Sequence, residues 1–494
     1  MTRRRVLAAL AALSLVVAAC TDDEDRGRRS RERPDRRPAS TTTTTPRADA
    51  NPGAAGVGDE YFPTLGNSGY DVAHYTLDLR YDPGSDLLAG TATIEAQATE
   101  PLDQFHLDLE GLEVESVTVD GDGARFDRED AELIVTPAEP VADNTRFTTT
   151  VDYSGVPSPE FEGSLQLPIG WIATDDGSFV LSEPDGARTW FPANDHPSDK
   201  ASYSFRLTVP DPFVAVANGL MTGKQAGAGE TTYVWEAADP MASYLVEVAV
   251  GDFVIEEAGT AESVPIRNVY AEDIAGAAAD AAASTPEMIE LFSEQFGPYP
   301  FEAYGVLVID RALGVALETQ TLSLFGSDFI GGGGVEVIGG ADVIFAHELA
   351  HQWFGNAVSP ARWKDIWLNE GFATYAEWLW EEHSAGVPVA RSARSTYQAM
   401  GMFGAGPPPG DPGVDGLFAG SVYQRGALTL QALRVEVGDD AFFRILRTYY
   451  ARFNGKSVTT DDFVAVAEEV SGSDLDALFR AWLYDLRIPP FPEG

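Results

Sequence analysis

The sequence predicts an α+β multidomain chain: an all-β domain over residues 61–256, followed by a mixed α/β and helical domain over residues 257–494. Three observations carry this. Apolar residues alternate with period two through the first part, the texture turns Ala-rich and helical after Gly251-Asp252-Phe253, and two histidines and two glutamates of the second part stand at metal-site spacing.

Before the first domain come two segments that do not pack. Arg3, Arg4 and Arg5 followed by the apolar run Val6 to Ala19 read as a secretion signal too short to span a bilayer. Val17-Ala18-Ala19-Cys20 resembles a bacterial lipobox, which implies lipidation of Cys20, a membrane anchor and an extracytoplasmic location. Cys20 is the single cysteine, so the mature domains hold no disulfide. Residues 21–60, acidic, then Arg-rich, then a threonine run, have no apolar periodicity and read as a tether.

In the β-domain, Tyr75, Leu77, Leu79 and Tyr81 face one way while Thr76, Asp78 and Arg80 face the other. Phe147, Val151, Tyr153 and Tyr203, Phe205, Leu207, Val209 repeat the pattern. In the second domain the expected elements are a helical stretch from Ala275 to Phe296 interrupted near Pro286, strands at Tyr304–Ile309 and Glu318–Leu324, and a helix from Ala341 to Phe354. Further helices are expected at Ser421–Val437, Asp440–Phe453 and Asp461–Val470, the last capped by Thr460.

The chain carries 33 basic and 77 acidic residues, a net charge of −44. Such a body repels nucleic acid, which is excluded as a partner, and draws cationic peptides.

The chemistry concentrates in His347-Glu348-Leu349-Ala350-His351, with Glu370 eighteen residues further on in Trp367-Leu368-Asn369-Glu370-Gly371-Phe372-Ala373. On a helix, positions i and i+4 share a face, so both imidazoles can reach one cation, with Glu348 beside that face. Two His and one Glu leave a fourth position for water, as a hydrolytic zinc site requires. An exposed helix carrying the same residues is the plain alternative. With only six histidines in the chain and Glu370 inside that second motif, the metal reading prevails.

These motifs, together with Gly69-Tyr70-Asp71-Val72-Ala73-His74-Tyr75, Phe191-Pro192 through Lys200, the run from His347 to Asn356, and Val422-Tyr423-Gln424-Arg425-Gly426-Ala427, resemble the zinc aminopeptidases of the aminopeptidase N and leukotriene hydrolase family. The resemblance spans about residues 65 to 490. It implies a saddle-like β-sandwich and a thermolysin-like metal domain. One zinc ion on His347, His351 and Glu370, with Glu348 as general base and Tyr423 as hydrogen-bond donor to the oxyanion, is the site it implies. The substrates it implies are peptides with a free N-terminus. Glu318, in Gly314-Val315-Ala316-Leu317-Glu318-Thr319-Gln320, stands where the family holds the substrate amine, though Val315, Leu317 and Thr319 depart from the family pattern. Glu183, in Ser182-Glu183-Pro184-Asp185, matches a second amine contact more loosely. Thr374, one turn after Glu370, is either an orienting contact to a ligand histidine or a helix-packing residue. The chain ends too soon after Glu370 for the further β and helical domains of common members, so a more open cleft is expected. The alternatives to an aminopeptidase are an open-cleft endopeptidase and a catalytically silent peptide-binding protein. Oligomeric state is left open.

Overall fold

The computed structural model describes residues 53–163, 165, 167–330, 340 and 342–493. The expected signal, the lipobox with Cys20 and most of the tether lie outside the described residues.

The sheet-rich first domain is built on an eight-stranded sheet. Its centre is Tyr70–Asp82, paired antiparallel with Leu87–Ala98 and parallel with Lys200–Pro210. The alternation read from the sequence is real. Along Tyr70–Asp82, Tyr75, Leu77, Leu79 and Tyr81 are buried, while Asp78 and Arg80 are exposed. The buried face packs on a second, five-stranded sheet, for example through Tyr81 against Trp171, with ring centroids 5.0 Å apart. Two strands of that second sheet, Gly177–Leu181 and Val248–Gly251, are buried along their whole length. A strand covered on both faces reads as a continuous apolar run rather than an alternating one.

The second domain begins at Phe253 rather than at 257. Phe253–Ala261 pairs with Val264–Ala271, which continues in parallel to Val306–Ile309 and Ser323–Gly326, so the expected boundary falls inside a strand. Helices pack around this four-stranded sheet. The stretch from Ala275 to Phe296 is divided as expected: Ala275–Ala281, one 3₁₀ turn, then Thr285–Phe296 with Pro286 in its first turn, where no intrahelical N–H is needed.

Four other expectations are corrected. The strand expected over Glu318–Leu324 begins only at Ser323, because Thr321 takes a left-handed φ of 66° and the Thr319 hydroxyl bonds the Leu322 carbonyl, making a tight turn of Thr319–Leu322. The His-Glu helix is Asp342–Ala350, shorter than expected, with His351 in the turn that follows. The His351 N–H still bonds the His347 carbonyl at 3.3 Å, so the one-turn relation holds. The helix Thr460–Ser471 is capped by Thr459 in a capping box with Asp462. The Thr460 hydroxyl instead bonds Asp365 at 2.7 Å.

The tether also ends earlier than residue 60. The buried Asp59 carboxylate accepts the N–H groups of Tyr61 at 2.7 Å, Phe62 at 3.1 Å and Trp363 at 2.9 Å, and faces Nε2 of His196 at 3.3 Å. The Tyr61 hydroxyl donates to Asp411 at 2.7 Å and accepts the Gly413 N–H at 2.8 Å. This short polar segment packs because its groups find buried partners in both domains, which no periodicity in its sequence signals.

Candidate metal centre and active site

Three helices meet at the site. The first is Asp342–Ala350, ending just before His351. The second is Trp367–Ala385, with Glu370 in its first turn, and the third is Gly420–Val437, which carries Tyr423. The second and third helices touch backbone to backbone at Gly371 and Gly426. A Cβ on Gly426 would stand 2.8 Å from the Gly371 Cα, so only two glycines permit this approach. The contact brings the Tyr423 ring within 6.0 Å of the His347 ring, nearly parallel to it.

His347, His351 and Glu370 are buried, and each offers one ligand atom within 4.8 Å of the others. The Glu370 carboxylate lies 3.3 Å from Nε2 of His347 and 3.6 Å from Nε2 of His351. The opposite ring nitrogens are taken up elsewhere. Nδ1 of His347 bonds Glu377 at 2.6 Å, and Nδ1 of His351 bonds the Phe354 carbonyl at 3.1 Å. Both Nδ1 atoms therefore hold a proton. Burial would lower the two imidazoles, but the carboxylates around them outweigh it and raise both, His351 to about 9. A cation binding between the two Nε2 atoms would thus displace their protons. The other four histidines sit outside this group: His74 against Ser202, His106 against Glu132, His196 against Asp59 and His383 against Glu287.

Around this set the structure gathers the remaining candidates. Glu318 and Glu348 each bring a carboxylate oxygen within 4.8 Å of His351, and Glu183 joins Glu318 and Glu370 in the same way. Glu183 arrives from the first domain, just past the buried strand Gly177–Leu181. Oε1 of Glu183 and Oε1 of Glu318 are buried and have no hydrogen-bond partner, an arrangement that costs free energy unless a ligand supplies the donor.

The electrostatics follow from this crowding. Burial raises Glu348 to about 8, with Glu318 and Glu370 adding to the effect and the two imidazoles opposing it. Burial likewise raises Glu183, reinforced by Glu318, Glu370 and Glu348. Glu370 goes the other way: burial would raise it, but His351 and His347 outweigh that and hold it at about 2. Burial and the neighbouring carboxylates, Glu370 first, push the Tyr423 phenol well above its ordinary value, so it stays protonated as a donor.

Sequence reasoning missed Glu377, the partner of His347. The available signal was position: seven residues after Glu370 on the same helix, hence on the same face. Thr374 does not orient a ligand. Its hydroxyl is buried without a partner, and Glu377 takes the histidine instead.

Comparison with known proteins gives the family. Residues 72–245 match the Peptidase M1 N-terminal domain, and residues 281–482 match the Peptidase family M1 domain. A substituted M1 zinc metallopeptidase from Deinococcus radiodurans, solved with a Tyr-Ser-Ala substrate, is 34% identical. It aligns with a TM-score of 0.82 over 89% of this chain and 99% of its own. The chain belongs to peptidase family M1. Among M1 relatives, mouse Aminopeptidase B is 27% identical over 477 residues, 85% of this chain and 70% of that protein. Rice Aminopeptidase M1-A is 27% identical over 440 residues, 82% of this chain but 49% of that protein, so the chain spans about half the length of this M1 relative.

Proposed function

We propose that the protein is a zinc-dependent aminopeptidase that removes N-terminal residues from peptides. The observation that carries this reading is the pair of buried, unpartnered carboxylate oxygens of Glu183 and Glu318 beside a two-histidine, one-glutamate donor set. The donor set fits zinc: two imidazoles whose Nδ1 protons are held by Glu377 and the Phe354 carbonyl, leaving Nε2 to bind a cation once its proton is displaced, and one ionised carboxylate. Zinc bound there supplies a more acidic water and polarises the scissile carbonyl.

The chain's own residues do the rest. Glu183 and Glu318 take the substrate's α-ammonium, an ion pair that gains strength out of water. Glu348, whose carboxyl the charge of a bound cation would bring back down into its ionised form, accepts the proton of the attacking water and passes it to the leaving amine. The Tyr423 hydroxyl donates to the developing oxyanion. Lipidation at Cys20 and an extracytoplasmic location belong to the same proposal, supported by the lipobox-like sequence. A Cys20→Ser variant that stays in the membrane fraction would remove that part alone.

A panel of aminoacyl amides, free and N-acetylated, with and without a chelator, tests the activity. Free-amine substrates are cleaved, acetylated ones are not, and chelation abolishes turnover. Internal cleavage of blocked peptides at the same rate would replace this reading with an endopeptidase.

A further inference from the structure

The tight turn beside Glu318 runs from Thr319 to Leu322 and is closed by the Leu322 N–H on the Thr319 carbonyl at 3.1 Å, a bond that does not use the Glu318 carbonyl or the Thr321 N–H. Here a side chain stands between them. Nε2 of Gln352 donates to the Glu318 carbonyl at 3.1 Å, and its Oε1 accepts the Thr321 N–H at 3.0 Å. Nδ2 of Asn356 donates to the same Glu318 carbonyl at 2.7 Å. A carbonyl oxygen has two lone pairs, so both are now used and the peptide plane leaving Glu318 is fixed. Gln352 and Asn356 are fully buried, where no water competes for these bonds.

The rest of the turn is held from the first domain. The Thr321 hydroxyl accepts the Gly219 N–H at 2.7 Å, which supports the left-handed backbone that a β-branched residue rarely adopts. Nδ2 of Asn218 donates to the Gln320 carbonyl at 2.7 Å, and Nζ of Lys200 donates to the Asn356 carbonyl at 2.6 Å.

We propose that Gln352 and Asn356 are positioning residues that set where the Glu318 carboxylate stands relative to the metal ligands. Gln352 directly follows His351, so one short piece of chain ties the ammonium site to the imidazoles. This rests on the reading of Glu318 as the residue that receives the substrate's α-ammonium. The separation between that carboxylate and the metal decides that the cut falls after the first residue. The two amides thus govern the exopeptidase register without touching substrate.

The test is a set of double-mutant cycles. Gln352→Met and Asn356→Ala are made singly and again with Glu318→Ala, and zinc content, KM and kcat are measured on a free-amine aminoacyl amide. Each single variant keeps one zinc per chain. KM rises about tenfold for Asn356→Ala, which loses one buried hydrogen bond, and at least as much for Gln352→Met, which loses both its bonds to Glu318 and Thr321, while kcat stays within about threefold. With Glu318→Ala already present, the same substitutions leave KM unchanged within about twofold, because they act through Glu318. KM losses that add in full on top of Glu318→Ala, or zinc loss in step with activity, would overturn the proposal. If Gln352→Met does not fold, Asn356→Ala, which leaves the Gln352 bridge in place, carries the same comparison. Failure of the underlying reading looks different: Glu318→Ala alone leaves KM unmoved, which removes the ammonium role and this proposal with it.

Discussion

Gly371 and Gly426 meet with no side chain between them, and that contact fixes how far Tyr423 stands from His347. A methyl group at Gly426 would have to push the two helices apart. Gly426→Ala is therefore expected to cost about 1–3 kcal/mol of stability, as overpacking does, and to lower kcat while zinc is retained. Chemical denaturation, metal analysis and kinetics on one preparation check this.

Glu377 bonds the Nδ1 proton of His347 and so holds Nε2 toward the metal position. Partners of this kind typically contribute about 10–100-fold in metal affinity. Glu377→Ala should weaken zinc binding by that factor in competition with a chromogenic chelator. Thr374→Val should leave it unchanged.

Glu348 and Tyr423 have roles that substitutions separate. Glu348→Gln keeps zinc and loses turnover by about 10²–10⁴, since only proton transfer is removed. Tyr423→Phe lowers kcat by about 10²–10³ with little change in KM, because its hydrogen bond forms only as the oxyanion does. Steady-state kinetics on an aminoacyl amide, at equal zinc occupancy, distinguish the two.

Asp59 gives a stability prediction with a defined sign. Burial would raise its carboxyl, but His196 and the N–H groups of Trp363, Tyr61 and Phe62 outweigh that and lower it from 3.8 to about 2. A folded value below the unfolded one means stability that is fully present above about pH 4 and is lost as the pH falls toward 2. The contribution is about 2 kcal/mol. Asp59→Asn should abolish that part of the acid dependence, measured as urea midpoints from pH 6 down to pH 3.

The sequence disclosed what depends on local periodicity. The His347 and His351 pair, the buried alternation of Tyr75 to Tyr81 and the helix around Glu370 all follow from fixed repeats of backbone geometry. Glu318 and Glu183 were reached through the family resemblance, because their convergence joins segments far apart in the chain. The turn at Thr319–Leu322 is hidden by its β-branched threonines, which favour strands until hydroxyl bonding and the clamp from Gln352 override that preference. Asp59 was concealed in a stretch whose composition is that of a linker, and only its partners in the folded chain show otherwise.

The recognisable match to the first domain starts at residue 72, after the Asp59 and Tyr61 bonds. A clone trimmed to that point would strip a hydrogen-bond acceptor from the buried N–H of Trp363 and release the loop at Asp411–Gly413 that leads into the Tyr423 helix. Expression should therefore start before Asp59, and a shortened product with weak turnover would report a missing clasp rather than a poor enzyme.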